Sequence, residues 1–178
     1  LSYPGGPAIE KIAENGDPLK FNLPKCRISD KKGGFLKYDF SFSGLKTAVL
    51  RLVEKINLDG KTVPVPDIAA SFERVVAEVL VERTIRCAVD HDLDNVVVVG
   101  GVAANNTLRK MIISEAGKKS IKVHLAPLNL CTDNAAMIGA AALFRIKFKD
   151  HLSSLKLGVS GRLSIEQANT LYEEIPPF

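Results

Sequence analysis

Leu45, Ala48, Val49, Leu52, Val53 and Ile56 recur at spacings of three and four residues, the stripe that turns one face of a helix toward a core. Ser43 stands before the stripe as a predicted N-cap. A longer stripe, Ile68, Phe72, Val75, Val76, Val79 and Leu80, predicts a helix capped by Asp67 and running to about His91, with Glu73, Glu78, Glu82 and Arg86 facing elsewhere. Residues 95–99 carry four consecutive valines, a β-branched run that does not alternate; it predicts a strand of a parallel sheet buried on both faces. Gly100 and Gly101 break that strand, and Leu108, Met111, Ile112 and Ala116 mark the apolar face of the next helix. A second strand over 121–126 ends at Pro127, and a helix of small residues follows over 134–148. Strand, helix, strand, helix at these lengths is a βαβ unit with a right-handed crossover, so the predicted fold class is α/β.

The flanks are less regular. Residues 8–15 predict a short helix stopped by Gly16, and Pro4-Gly5-Gly6-Pro7 before it reads on local chemistry as a turn. Residues 17–37 are rich in Pro, Lys and Gly without periodicity, which predicts a loop or irregular β segment, while 39–42 alternate polar and apolar. Ser164 with Gln167 three residues on fits a capping box for a short last helix.

With 178 residues, 46% hydrophobic and 25% charged, the chain can bury a single-domain core and is far from the composition of disorder. The longest uncharged apolar run, 135–144, falls short of the roughly 20 residues a membrane helix needs; no membrane association and a cytoplasmic location are the expectation. Cys26, Cys87 and Cys131 form no CxxC pair, which argues against a disulfide framework or a thiolate zinc site. The net charge of +4 fits a solvated surface as well as a nucleic-acid partner. Entry on Leu1 rather than Met, straight into Pro-Gly-Gly-Pro, leads to the expectation of a piece of a larger protein.

Chemistry concentrates at two junctions. The strand, Gly-Gly, helix unit over 96–110 lets a ligand approach without a Cβ in the way, and the helix that follows offers unpaired N–H groups of positive dipole character, a geometry that suits a nucleotide. Asn105 there either caps the helix or bonds a ribose or base edge. The acidic residue and second half of a G-x-G-x-x-G fingerprint are missing, which sets a dinucleotide site aside. In Cys131-Thr132-Asp133-Asn134, Asp133 either ligates a metal or caps the next helix. Ser43-Gly44-Leu45-Lys46-Thr47 lacks the G-x-x-x-x-G-K-[ST] spacing of a phosphate loop. His91, His124 and His151 have no metal-ligand spacing. Arg145, Lys147 and Lys149, with the basic residues between Lys25 and Lys37, either meet a phosphate backbone or form a solvated surface.

Four motifs in order, Tyr3-Pro-Gly-Gly-Pro7, Asp39-Phe-Ser-Phe-Ser-Gly-Leu-Lys-Thr47, Gly100-Gly-Val-Ala-Ala-Asn105 and Cys131-Thr-Asp-Asn-Ala-Ala-Met137, resemble the TsaD (formerly Gcp) family. The likeness extends to Leu157-Gly-Val-Ser160. The resemblance implies the actin-like ASKHA fold (ribonuclease H-like), in which two similar lobes close on a nucleotide. On it, residues 1–134 would be the second lobe, with its βαβ-containing sheet and flanking helices, and 135–178 a C-terminal helix and tail returning toward the first.

The resemblance also implies an activity: transfer of threonylcarbamoyl from threonylcarbamoyl-AMP to N6 of the tRNA adenosine 3′ to the anticodon. An older glycoprotease label on the family finds no support, because no nucleophile with a paired base is visible here. Carried over by position, Gly6 and Asn105 would contact the adenylate, Gly100 and Gly101 would form the turn beside it, and Asp133 would ligate a divalent metal ion, iron or zinc. That ion would polarise the carbamoyl carbonyl. The family's H-x-x-x-H metal ligands belong to its first lobe and are absent from this sequence, so the metal would be shared, and this chain alone is expected to bind metal weakly and not to catalyse transfer. Implied partners are tRNA, TsaB and TsaE, the TsaB contact lying mainly on the other lobe. Two readings from other classes stand beside this one, a non-catalytic actin-like binding lobe and an ATPase of the same fold; retention of Asp133 and Asn105 favours the transferase.

Overall fold

In the structure, a computed structural model describing residues 3–148 together with Gly161 and Ser164, the chain divides into two units, Leu1–Thr132 and a second that begins at Asp133. The last helix expected after Ser164, with Gln167, and the tail at 157–160 lie outside the described residues. The first unit contains helix α1 (Gly5–Ala13), strands β1 (Arg27–Ser29) and β2 (Phe35–Phe40), and helices α2 (Ser43–Leu58) and α3 (Val65–Asp90). Strand β3 (Asn95–Val98), helix α4 (Asn106–Gly117) and strand β4 (Lys122–Leu125) complete it. The second unit is described by helix α5 (Ala135–Phe148). This is the mixed α/β class expected, and β3 and β4 pair in parallel, Val96 opposite Val123 and Val98 opposite Leu125, with α4 as the crossover.

Helix α3 is the axis of the first unit. Its 26 residues span about 39 Å at the usual helical rise. Ala77, Val81, Ile85 and Ala88 of α3 pack with Leu108, Ile112 and Ala116 of α4 and with Ile121. Val75 and Val79 meet Leu23, Cys26 and Leu45, and Ala69 and Ala70 meet Ala13. The buried surface is therefore wider than the single stripe read from the sequence and includes Ser71 and Arg83. Ser71 is fully buried because its hydroxyl serves the loop after α1, accepting from Phe21 N–H at 3.1 Å and donating to Asp17 C=O at 3.4 Å. Arg83 donates to Lys37 C=O at 2.9 Å and ties β2 to the helix. Beside it, Asp90 accepts from Lys37 Nζ at 2.7 Å and from Tyr38 Oη at 3.0 Å; the lysine hydrogen bond holds the Asp90 carboxyl below its ordinary value.

Several sequence expectations change. The valine run is covered on one face only: Val96 and Val98 pack inward, whereas Val97 and Val99 are 67% and 68% exposed, because β3 and β4 form a two-stranded sheet with the α3–α4 cluster on a single side. Asp67 does not cap its own helix, which starts earlier at Val65 behind Pro64; its carboxylate accepts from Asp17 N–H at 2.9 Å instead. Ser43 is the first residue of α2 rather than its cap, and two residues on Leu45 is buried at 1% exposure. Segment 17–37 contains most of an antiparallel hairpin, turned at Gly33 and Gly34, whose φ values of 97° and 82° suit glycine. Gly5, Gly6 and Pro7 are not a turn but the first residues of α1, where Pro7 lacks only an N–H that would find no partner inside the helix.

Gly16 follows α1 as anticipated, but its importance lies in contact: a Cβ there would stand 2.0 Å from Pro66 C=O oxygen and 2.3 Å from its carbon. Backbone cannot yield as a side-chain tip can. Gly16→Ala is therefore expected to lower stability by roughly 1–3 kcal/mol in a urea melt, while Gly44→Ala, with nothing near its Cβ position, leaves the midpoint close to wild type.

Candidate functional site

Strand β3 ends in a tight descent into α4. Gly100 takes φ 91°, a region that side chains rarely enter, and Gly101–Ala104 then form a 3-10 turn closed by Ala103 N–H to Gly100 C=O at 2.9 Å. Ala103 is 1% exposed and roots the turn in the core. Asn105 follows in extended conformation as the N-cap of α4, its Oδ1 accepting from Leu108 N–H at 2.8 Å. Between the two readings of Asn105 left open by its sequence position, the cap is thus real, and it uses one side of the amide.

The other side is held from α3. Asn105 Nδ2 donates to Glu73 Oε1 at 2.7 Å, and Thr107 Oγ1 donates to Glu73 Oε2 at 2.7 Å. A second carboxylate comes from α1: Glu10 Oε1 accepts from Asn106 N–H at 2.8 Å and from Asn106 Nδ2 at 2.9 Å. Glu10 lies one helical turn beyond Gly6, so it links the helix carrying Gly6 to the turn carrying Asn105. The expectation that α4 offers unpaired N–H groups to a ligand is corrected at three positions. Asn105 N–H is taken by Val102 C=O, Asn106 N–H by Glu10 and Leu108 N–H by Asn105 itself. Two acidic side chains already offset the positive end of the helix dipole.

Arg109, one turn into α4, joins the loops that leave the two parallel strands. Its Nη1 donates to Ala103 C=O at 2.7 Å and to Ala126 C=O at 3.1 Å, and lies 3.9 Å from Cys131 Sγ. Cys131 is buried, its thiol directed at Pro127 C=O at 3.4 Å. In the second unit, Asn134 Oδ1 accepts from Met137 N–H at 2.9 Å, so the cap of α5 is Asn134, and Asp133 stands exposed before it.

Gly6, Gly100 and Gly101 are exposed, and a Cβ at any of them would meet nothing within 4 Å. Gly100 is demanded by its φ; at Gly6 and Gly101 nothing among the described residues would meet a Cβ. The sequence signal found these glycines and Asn105 but missed Glu10, Glu73 and Arg109. Glu73 reads locally as a solvated helix position, and its partners are 32 and 34 residues away.

Several of the remaining polar candidates have partners within the chain. Lys25 pairs with Glu78 and Glu82 at 3.4 and 3.5 Å and Lys37 with Asp90, so these two basic residues already have acidic partners. His124 Nε2 meets Asn95 Oδ1 at 2.9 Å, and the His91 ring lies 5.9 Å from that of Tyr38. Lys149 and His151 lie outside the described residues. Among the described residues no three His, Cys, Asp or Glu side chains gather closely enough to hold a metal ion, and no helix is long and apolar enough to cross a membrane.

A family model described as TsaD, tRNA N6-adenosine threonylcarbamoyltransferase, matches residues 1–140. Among curated proteins, a tRNA N6-adenosine threonylcarbamoyltransferase of Prochlorococcus marinus strain MIT 9312 is 96% identical over all 178 residues, which cover 50% of that relative. Those of strains MIT 9215 and NATL1A are 91% and 60% identical over the same span, again 50% of their length. The chain spans about half the length of the curated relatives it matches.

Loss of the Arg109 fork should loosen both loops together. Arg109→Met is expected to cost about 1–3 kcal/mol in a urea melt, because it strands part-buried carbonyls. It should also speed labelling of Cys131 by a thiol reagent, read by peptide mass mapping, more than labelling of Cys26.

Proposed function

The chain belongs to the TsaD family, and from that premise we propose that it supplies the nucleotide-holding half of a tRNA N6-adenosine threonylcarbamoyltransferase. The observation that carries this reading is the pair of carboxylates, Glu10 and Glu73, bonded at the N-terminus of α4. With Glu10 and Glu73 already bonded there, an added phosphate would meet two carboxylates, whereas a neutral adenosine would meet the amide of Asn105. Asn105 has one amide hydrogen and one carbonyl lone pair beyond those its two bonds use. Threonylcarbamoyl-AMP accordingly lies with its nucleoside toward Asn105 and its acyl phosphate directed away from Glu10 and Glu73. Gly100 and Gly101 form the turn beneath it, and Gly6 offers a second surface without a Cβ.

In the reaction the N6 amine of the tRNA adenosine attacks the carbamoyl carbon of the adenylate. A C–N bond forms, the bond from carbon to the phosphate oxygen breaks, AMP leaves with that electron pair, and the amine gives up one proton. The contribution of this chain is to hold and orient the adenylate. The described residues do not by themselves make a metal site, and no step is assigned to a metal. Asp133 is proposed as one carboxylate ligand of a divalent ion, iron or zinc, whose other ligands belong to the first lobe. The exposed position of Asp133, with the cap of α5 taken by Asn134, is what supports that role. The proposal includes tRNA as acceptor, TsaB and TsaE as partner proteins, action in the cytoplasm, and the assignment of 1–134 to the second lobe with 135–178 returning toward the first.

The test uses the full-length strain MIT 9312 relative carrying Asp133→Ala at the aligned position, with TsaB, TsaE, the adenylate and unmodified tRNA. Removing an outer partner of a metal ligand costs about 10–100-fold, and removal of the ligand itself is expected to exceed that in transfer and to lower bound metal, with the thermal melt unchanged. Full transfer with full metal content would remove Asp133 from the site. ATP turnover without tRNA would favour the ATPase reading.

A further inference from the structure

We infer that Glu73 is a positioning residue for the nucleotide platform, fixing the direction in which Asn105 presents its amide. The inference rests on the reading above that Asn105 meets the nucleoside. Glu73 projects from the interior of α3, between the buried positions Ser71 and Val75. Each of its oxygens receives a hydrogen bond at 2.7 Å, one from Asn105 Nδ2 and one from Thr107 Oγ1. The amide cannot be reversed without conflict. A flipped Asn105 would set its carbonyl oxygen against the Glu73 carboxylate and its NH2 against Leu108 N–H, replacing two good bonds by two repulsive contacts. Glu73 and the Leu108 N–H together fix which end of the amide a ligand meets, and Glu73 holds the donor end in place.

A purely structural role for Glu73, as an outlying prop of the α4 cap, predicts loss of stability alone. Positioning predicts loss of nucleotide affinity that the neutral isostere restores. Gln at this site keeps an oxygen for Asn105 Nδ2, and its amide can donate to Thr107 Oγ1, which then reverses from donor to acceptor.

The experiment measures AMP affinity, the KM for threonylcarbamoyl-AMP, kcat and thermal stability in the full-length strain MIT 9312 relative, with substitutions at the aligned positions. Glu73→Ala is expected to weaken AMP binding and raise KM about tenfold, with kcat within about threefold of wild type. Glu73→Gln should return both to within about twofold, and Glu73→Asp, too short to reach both partners, should fall between. Thr107→Val removes the other bond of the same carboxylate and should lower the melting temperature, with AMP affinity falling less than in Glu73→Ala. Glu73→Ala or Glu73→Asp binding AMP as wild type does, or Glu73→Gln as weak as Glu73→Ala, would overturn the inference; should Glu73→Ala fail to fold, the Asp and Gln variants decide it alone. Asn105→Ala binding AMP normally would instead sink the nucleoside reading on which the inference stands, and the two failures are thereby separated.

Discussion

Packing of α3 against three apolar clusters along its length is the constraint on which the first unit depends. All three apolar clusters run through this one helix: Ala69 and Ala70 toward α1, Val75 and Val79 toward Leu23 and Leu45, and Ala77 through Ala88 toward α4. Such packing is possible because so many of its buried positions are small. Ala69, Ala70, Ser71, Ala77 and Ala88 let neighbouring backbone come close, and Gly16 carries the same logic to its limit against Pro66. A helix held this way is a rigid mount, and the polar residues between its apolar ones become precise anchors. Asp67, Ser71 and Arg74 fasten the loop after α1, Arg83 and Asp90 fasten the hairpin, and Glu73 fastens the turn before α4.

The turn between β3 and α4 inherits its chemistry from that mount. A glycine turn leading into a helix is ordinarily a place for phosphate, since free N–H groups and the helix dipole both favour an anion. Here the protein has placed two of its own carboxylates at the helix terminus, one from α1 and one from α3. On the proposed reading this turns the electrostatic preference toward a neutral group, while Gly100 and Gly101 keep the approach open. On that reading the carboxylates that brace the start of α4 also set what the turn selects, so stability and recognition would share atoms at this point.

Much of this was legible in the sequence. The helical stripe from Leu45 to Ile56, the valine run, the paired glycines and the apolar face of α4 all appear where the pattern puts them, because each is a local signal that tertiary packing reinforces. What was not legible depends on distance. Asp67 looks like a cap from its neighbours alone, yet its partner is Asp17, 50 residues earlier. The hairpin is hidden because β1 has three residues and its register to β2 is irregular, too short for alternation to show. Glu10 and Glu73 look like ordinary charged positions, and only the fold brings them to one helix terminus from 96 and 32 residues away. Asn105 was found, but the half of its amide that faces Glu73 was not.

The most direct measurement is a crystal structure of a full-length relative with a stable analogue of threonylcarbamoyl-AMP bound. The nucleoside is predicted to lie against the turn of Gly100, Gly101 and Asn105, with the phosphate pointing away from the carboxylates of Glu10 and Glu73. A phosphate seated on the N-terminus of α4, with either carboxylate displaced, would contradict the account.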